Sequence, residues 1–267
     1  MTPNPSAVDD RLHFALAIAE KASHLILEHY GSTSLQVDFK SDDSPVTIAD
    51  RGAETLMRHE IESTFPDDAI LGEEHGEKTA TGGFRWILDP IDGTKAFVHG
   101  AGQFGTLIGL EHAGKVVAGV CRFPALNEVI YARHGGGAWR LCCGQEPEPC
   151  HVSETTRLEE ALFCFTEIRH WYEIGRENTF NRLCRSVRVA RGWGDCFGHM
   201  LVATGRADVM VDPELNPWDA AALQPIVEEA GGHYTDWNGI ATIYGGQGVS
   251  VNSKLKAVVL DCLKPEQ

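Results

Sequence analysis

The sequence lacks the patterns that mark several classes of protein. No apolar run approaches the roughly 18 residues of a membrane-spanning helix, so none is predicted. The N-terminus has no basic flank followed by an apolar core, so we predict no secretory signal and expect a cytoplasmic protein. No basic tract occurs and the formal net charge is −15, which argues against nucleic acid and anionic membranes as partners.

Two further absences concern cofactors and nucleotides. The eight cysteines form no C-x-x-C pair. The densest group, Cys142, Cys143 and Cys150 with His151, fits no standard zinc spacing, so we interpret the cysteines as ordinary reduced thiols and leave open a binding role for this group. No Gly-x-x-x-x-Gly-Lys-Ser/Thr loop is present, which leaves nucleotide hydrolysis by that route unsupported.

The most informative stretch is WILDPIDGT, residues 86–94. An apolar run typical of a buried strand ends in Asp89 and Asp92, and Gly93 and Thr94 follow at the turn. Burial of the run would bring both carboxylates to the end of a strand. The Gly-Thr pair would then open a helix whose free N–H groups can receive an anion. A cation site beside an anion site is what phosphate ester chemistry requires.

Three other acids occupy comparable positions. Glu73 ends a short strand-like segment, Asp50 lies about one turn inside a predicted helix, and Asp219 lies in the first turn of a helix opened by a proline. Asp50 could instead be a solvated helix carboxylate, and Asp219 an ordinary first-turn acid. Together, Glu73, Asp89, Asp92 and Asp219 would form an all-oxygen cluster, which selects Mg²⁺ or Mn²⁺ over zinc.

Such a cluster has a definite chemistry. Crowded carboxylates repel one another unless cations neutralise them. Two divalent ions about 3.5–4 Å apart could contact the attacking and the leaving oxygen of a phosphoryl group and make an attacking water more acidic. Thr94 can relay a hydrogen bond from that water to a carboxylate, and the amides of Gly93 and Thr94 would hold the phosphate.

Three motifs resemble the signatures of the inositol monophosphatase superfamily: Gly72-Glu73-Glu74, DPIDGT at residues 89–94, and WDAAAL at residues 218–223. The resemblance covers nearly the whole chain. It implies an α/β (α+β) fold, a layered αβαβα sandwich of the inositol monophosphatase/fructose bisphosphatase type. It also implies Mg²⁺-dependent, lithium-sensitive phosphomonoesterases that form homodimers and act on small phosphorylated substrates.

The resemblance also implies a set of metal ligands. Glu73, Asp89 and the carbonyl of Ile91 would hold a first ion. Asp89, Asp92 and Asp219 would hold a second, and Glu73 with waters a third. Two or three Mg²⁺ ions are therefore expected, with Mn²⁺ as a substitute.

The same resemblance implies the catalytic roles. Glu73 and Thr94 would activate the attacking water, and Asp50 would support the Thr94 hydroxyl. The phosphate would contact Gly93 and Thr94, and the loop that carries Lys40 would close over the site.

Two stretches, residues 38–47 and 194–219, resemble the histidinol-phosphatase branch of the superfamily. An acid at Asp195, together with Asp212, suits a substrate with a positively charged amine, and a neutral polyol would gain less from two carboxylates. Asp195 could instead only cap the helix that follows it. His199 departs from the residue expected at its position. The predicted substrate-binding residues are Lys40, Asp92, Gly93, Thr94, Asp195, Asp212 and Asp219.

The sequence therefore predicts a phosphomonoesterase that converts L-histidinol phosphate to L-histidinol and phosphate in histidine biosynthesis. An inositol-1-phosphate phosphatase is the alternative within the superfamily. A catalytically silent metal-binding scaffold is the alternative from another class.

The 267 residues are enough for one large domain or two packed lobes. We predict an N-terminal lobe, residues 1–145, with two helices, an antiparallel sheet and most metal ligands. The C-terminal α/β lobe, residues 146–267, would supply the last ligand and the residues on the substrate side. Residues 167–177 could be a substrate-side loop or only surface.

Overall fold

The computed structural model describes residues 3–32, 37–39 and 45–264, so the predicted substrate contact at Lys40 lies outside the described residues. The α-helices of the described part are α1 (Pro5–His29), α2 (Ile48–Thr64), α3 (Thr94–Val98), α4 (Ile168–Glu173), α5 (Glu177–Ser186), α6 (Asp195–Ala203), α7 (Pro217–Ala221), α8 (Leu223–Glu229) and α9 (Lys256–Leu263). Among these helices, none is long and apolar enough to cross a bilayer.

The strands form a hairpin and two larger sheets. They are β1 (Val37–Phe39), β2 (Pro45–Thr47), β3 (Ala69–Gly72), β4 (Gly76–Lys78), β5 (Phe84–Asp92), β6 (Gly105–His112), β7 (Lys115–Phe123), β8 (Glu128–Arg133), β9 (Ala138–Cys142), β10 (Glu148–Pro149), β11 (Leu162–Cys164), β12 (Val189–Arg191), β13 (Val209–Asp212), β14 (His233–Thr235) and β15 (Gly248–Val251). The larger sheet has the order β10-β9-β8-β7-β6-β5-β3-β4, and the smaller has the order β12-β11-β13-β15-β14. β1 pairs with β2.

Helices cover both faces of each of the two larger sheets, which gives five layers. Trp86 and Ile108 pack with α1 and α2 on one face of the larger sheet. Their sequence neighbours Ile87 and Leu107 point to the other face and pack with α6, α7 and α8, as the two-residue period of a strand requires. The smaller sheet meets α6 on one face and α5 and α9 on the other. This order confirms the predicted αβαβα sandwich. The division into lobes at residue 145 stays a prediction.

Two helix boundaries differ from the sequence-based expectation. A proline is favoured in the first turn of a helix, so the sequence predicts that Pro45 begins the second helix. In the structure, residues 45–47 instead pair with β1, and α2 begins at Ile48. The pattern over residues 217–229 predicts one helix, whereas the structure has α7 and α8. Pro225 explains this break, because it has no N–H to donate to the carbonyl four residues earlier.

A bulge in β5 brings Asp89 and Asp92 to the same site. Residues three apart in a regular strand face opposite sides of the sheet. Here Asp89 is opposite Leu107 and Asp92 is opposite Gly105. The chain therefore advances by three residues in β5 where it advances by two in β6, so β5 has one extra residue. The extra residue changes the alternation of side chains, and both carboxylates can then converge on one point.

A pair of glycines lets α7 and α8 lie directly on the larger sheet. Gly109 of β6 is opposite Gly119 of β7. A Cβ atom on Gly109 would lie 2.5 Å from the Cβ of Ala221, and one on Gly119 would lie 2.2 Å from the carbonyl oxygen of Ala222. Because α7 lies this close to the strands, Asp219 in its first turn reaches the end of β5.

We expect Gly119→Ala to push the α7–α8 segment off the sheet. The backbone of Ala222 cannot yield as a flexible side chain would, so overpacking should cost about 1–3 kcal/mol of unfolding free energy and also weaken divalent-cation binding. Thermal unfolding and calorimetric titration with Mg²⁺ would measure the two effects.

Gly52→Ala in α2 is the matched control. Its Cβ atom would lie 3.4 Å from Leu25, an ordinary contact, and alanine is favoured over glycine within a helix by about 1 kcal/mol. The control should melt at or above the wild-type temperature. If Gly119→Ala behaves like the control, the close contact does not constrain the fold.

Candidate active site

Three carboxylates form a group that could hold a metal ion. Asp89 and Asp92 come from the bulged end of β5 and Asp219 comes from the first turn of α7, and one oxygen of each lies within 4.8 Å of the others. Asp89 is 1% exposed whereas Asp92 and Asp219 are partly exposed, so the group extends from the protein interior to the surface. Glu73 lies beside them, since its charge raises the pKa values of Asp89 and Asp219.

Burial and mutual repulsion raise the pKa values of this group. Burial is the main cause for Asp89, and the charges of Glu73, Asp92 and Asp219 add to it, so its pKa lies well above the ordinary value. The pKa of Asp92 is also raised well above that value, by burial and then by Asp195 and Asp219. The pKa of Asp219 rises to about 7, mainly by burial. The bare cluster therefore holds protons that a cation would displace.

The donor set fits a hard divalent cation. Among the described residues, the Oδ1 atom of Asp89 is a buried acceptor with no hydrogen-bond partner. Leaving such an atom unpaired costs about 1–3 kcal/mol, and a coordinated cation would satisfy it. The three grouped ligands are all carboxylate oxygens, which favour Mg²⁺ or Mn²⁺.

Gly93 and Thr94 form the turn between β5 and α3. Gly93 has φ +82°, and a Cβ atom there would lie 3.0 Å from the carbonyl oxygen of Gln103, so both the backbone conformation and the space favour glycine. The Thr94 hydroxyl donates to the carbonyl oxygen of Ile91 at 2.9 Å. A carbonyl oxygen has a second lone pair, so this bond leaves Ile91 able to accept another partner.

Asp50 lies in the first turn of α2, where it is 1% exposed and therefore not a solvated helix carboxylate. The N–H and the hydroxyl of Thr47 donate to its Oδ2 atom at 2.8 Å and 2.6 Å. Burial raises the pKa of Asp50 to about 6, although these hydrogen bonds oppose the shift. In the described structure, Asp50 and Thr94 share no hydrogen bond. The predicted support of Thr94 by Asp50 stays a prediction.

Glu54 is a site-supporting residue that sequence reasoning missed. It is fully buried, and its carboxylate accepts from the N–H groups of Glu74 at 2.7 Å and His75 at 3.1 Å. These bonds attach the turn that carries Glu73 to α2. Glu54 follows Asp50 by one helical turn, and that i, i+4 spacing on the inner face of α2 was the available signal.

Asp195 begins α6 and lies over the turn at Gly93. A Cβ atom on Gly93 would be 3.2 Å from the Oδ2 atom of Asp195. The N-cap residue of α6 is Gly194, and no side chain makes a capping hydrogen bond there. Asp195 therefore does not act as the helix cap, which was the alternative role for it. The next N–H, that of Cys196, donates to Oδ2 of Asp92 at 2.5 Å and links α6 to the carboxylate cluster.

Asp212 lies behind Asp195, separated from it by Thr166. It is 2% exposed, and it accepts from the Thr166 hydroxyl at 2.5 Å and contacts Nε2 of His199 at 3.1 Å. The N–H of Asp195 donates to Thr166 Oγ1 at 2.8 Å. Burial, followed by the charge of Asp212, raises the pKa of Asp195 to about 7.

The segment 167–177 begins beside the candidate site. Lys95, which directly follows Thr94, forms an ion pair with Glu167 at 2.5 Å. His170 lies 3.8 Å from Glu167 and 3.7 Å from Glu214. The ion pair between Lys95 and Glu167 therefore joins the start of this segment to α3.

Comparisons with known proteins agree with this geometry. The model of the inositol monophosphatase family matches residues 7–264. The histidinol-phosphatase of Chlorobaculum parvum is 45% identical over 91% of this chain and 93% of its own length. The histidinol-phosphatase of Mycobacterium tuberculosis is 38% identical over 94% of this chain and 96% of its own.

A solved structure supports the same conclusion. The IMPase of Thermotoga maritima aligns with a TM-score of 0.85 at 33% identity, over 95% of this chain and 96% of that one. The resemblance inferred from the three motifs is confirmed. The chain belongs to the inositol monophosphatase family and is a phosphoric monoester hydrolase.

Proposed function

We propose that this enzyme hydrolyses L-histidinol phosphate to L-histidinol and phosphate, a reaction of histidine biosynthesis. The observation that carries the proposal is the position of Asp195 over Gly93, outside the three-carboxylate group. A protonated amine on the substrate would gain from this extra carboxylate, whereas a neutral polyol would gain less. The similarity to two proteins named histidinol-phosphatase supports the same substrate. Such a role would place the enzyme in the cytoplasm.

Magnesium is the proposed cofactor, with manganese as a substitute. Asp89, Asp92 and Asp219 would be its main ligands, and Glu73 and the carbonyl of Ile91 would complete two or three ion sites. When bound, the ions would polarise the phosphoryl group and lower the pKa of a nearby water. The Oδ1 atom of Asp89, which has no hydrogen-bond partner in the described part of the chain, supports this assignment.

The other steps use groups of this chain. The first-turn N–H groups of α3, from Gly93 and Thr94, would bind the phosphate oxygens. Glu73 would accept a proton from the attacking water, and the Thr94 hydroxyl would orient that water. As the water oxygen forms its bond to phosphorus, the P–O bond to the alcohol on the opposite side would break, and the departing alkoxide would take a proton from solvent. Lys40, which lies outside the described residues, would bind the phosphate.

An inositol-1-phosphate phosphatase remains the second candidate, because one observation favours it. Asp212 is 2% exposed and both of its carboxylate oxygens have protein partners, so an amine would face one accessible carboxylate and not two. The likeness to the IMPase of Thermotoga maritima points the same way.

A substrate comparison separates the two candidates. With Mg²⁺, we expect kcat/KM for L-histidinol phosphate to exceed that for inositol 1-phosphate by at least about tenfold, the factor that about 1.4 kcal/mol of differential binding supplies. Asp195→Asn should reduce this ratio, because it removes the charge that faces the amine. Asp261→Asn on the exposed face of α9 is the control. A preference for inositol 1-phosphate would refute the proposed substrate.

The predicted metal ligands can be tested through Asp89→Asn. We expect this isosteric change to abolish Mg²⁺ binding in calorimetry and to abolish phosphate release, while the circular dichroism spectrum stays that of the wild type. The reason is that Asp89 contributes a buried oxygen that no donor among the described residues satisfies. Full Mg²⁺-dependent turnover by the variant would exclude Asp89 as an essential ligand.

Metal binding should depend on pH. The pKa of Asp219 rises from 3.8 to about 7 on folding without metal, so the folded protein binds more protons than the unfolded chain between these values. The stability of the metal-free protein should therefore fall as pH rises through this window, and added Mg²⁺ should reverse the fall by displacing protons. The increase in Tm on adding Mg²⁺ should grow between about pH 5 and pH 8. An increase that is constant with pH would contradict this linkage.

A further inference from the structure

A chain of hydrogen bonds, buried at its His199 end, lies behind the candidate site. His199 is fully buried, and its ring nitrogens contact the Ser250 hydroxyl at 2.7 Å and the carboxylate of Asp212 at 3.1 Å. From Asp212 the chain continues through Thr166 to the N–H of Asp195. His199 has no predicted role in metal binding or catalysis, yet it is connected to Asp195 through two side chains.

The donors and acceptors along this chain follow from the chemistry of the groups. The N–H of Asp195 can only donate, so the Thr166 oxygen accepts it. The single hydroxyl proton of Thr166 is then given to Oδ1 of Asp212. A carboxylate accepts at both oxygens, so Nε2 of His199 carries a proton and donates to Oδ2. Ser250 holds the other side of the ring and fixes its rotation.

The far end of this chain is a strained residue. Asp195 has φ +52°, in the left-handed region that residues with a Cβ atom rarely adopt. The bond to Thr166 holds its N–H in this conformation. Thr166 is itself fixed against the turn, because a Cβ atom on Gly194 would lie 2.2 Å from its Cα. The conformation of Asp195 places its carboxylate next to Gly93.

We propose that His199 is a positioning residue for substrate selectivity, which orients Asp212 so that Asp212 and Thr166 hold the Asp195 carboxylate where the amine of the substrate binds. The proposal rests on the proposed function. Asp212 then acts through Thr166, and not by the direct contact with the amine that the sequence suggested. His199 is fully buried and does not touch the substrate.

Two substitutions of His199 separate positioning from general stability. His199→Gln keeps an N–H donor near the position of Nε2, whereas His199→Leu fills similar space without a donor. With Mg²⁺, kcat and KM are measured for L-histidinol phosphate and for glycerol 2-phosphate, which has no amine. We expect His199→Leu to raise KM for L-histidinol phosphate more than it lowers kcat, and to reduce the selectivity ratio about tenfold, as for a lost hydrogen bond to a charged group. His199→Gln should restore most of the ratio.

Equal losses with both substrates, or no rescue by glutamine, would overturn the proposal. Ser250→Ala is the milder variant if His199→Leu does not fold, and it should change selectivity in the same direction. In the double variant His199→Leu/Asp195→Asn, selectivity should be no lower than in Asp195→Asn alone, because both changes remove the same contact.

A readout without substrate distinguishes this proposal from the proposed function. We expect the Asp195 amide to exchange its hydrogen faster in His199→Leu than in Val259→Ala, a core variant beneath the smaller sheet that controls for lost stability. Unchanged exchange at Asp195 would overturn the role of His199 whatever the substrate is. If the wild type shows no preference for L-histidinol phosphate, the proposed function fails, and the exchange result alone decides the role of His199.

Discussion

The main physical constraint on the site is the repulsion among three carboxylates that the fold holds close together. Asp89, Asp92 and Asp219 come from two elements far apart in the chain, and burial and neighbouring charges raise all three pKa values. Such a cluster is unfavourable by itself, so the surrounding structure must hold it in place. A bulge in β5 and the close contact of α7 with two glycines of the sheet do this, and the buried Glu54 fixes the neighbouring turn that carries Glu73.

The acids around the site divide into two groups with different surroundings. One group contains the predicted metal ligands, and the other contains Asp195 and Asp212. The start of α6 joins the two, because the N–H of Cys196 donates to Asp92 while the N–H of Asp195 donates to Thr166. A change in one group can therefore be transmitted to the other through the backbone of two adjacent residues.

Much of the architecture could be predicted because its signals are local. The apolar run before Asp89, the glycine after Asp92 and the proline before Asp219 each depend on strand, turn or helix preferences within a few residues. The order of layers came from the family resemblance. By contrast, Glu54 has no feature in the sequence beyond its place on α2. The bond between Asp50 and Thr47 is local, but the expectation for Asp50 came from the family resemblance, which pointed to Thr94.

The sequence by itself determined which acids are present, that several of them end strands or begin helices, and which family the chain belongs to. Only the tertiary structure decided how they meet. The pair Gly109 and Gly119 sets how near α7 lies to the larger sheet. The burial of Asp212 makes it a partner of His199 in the protein interior. The physical reason is that spacing along a chain fixes the face of an element, whereas distance and exposure depend on packing between elements distant in sequence.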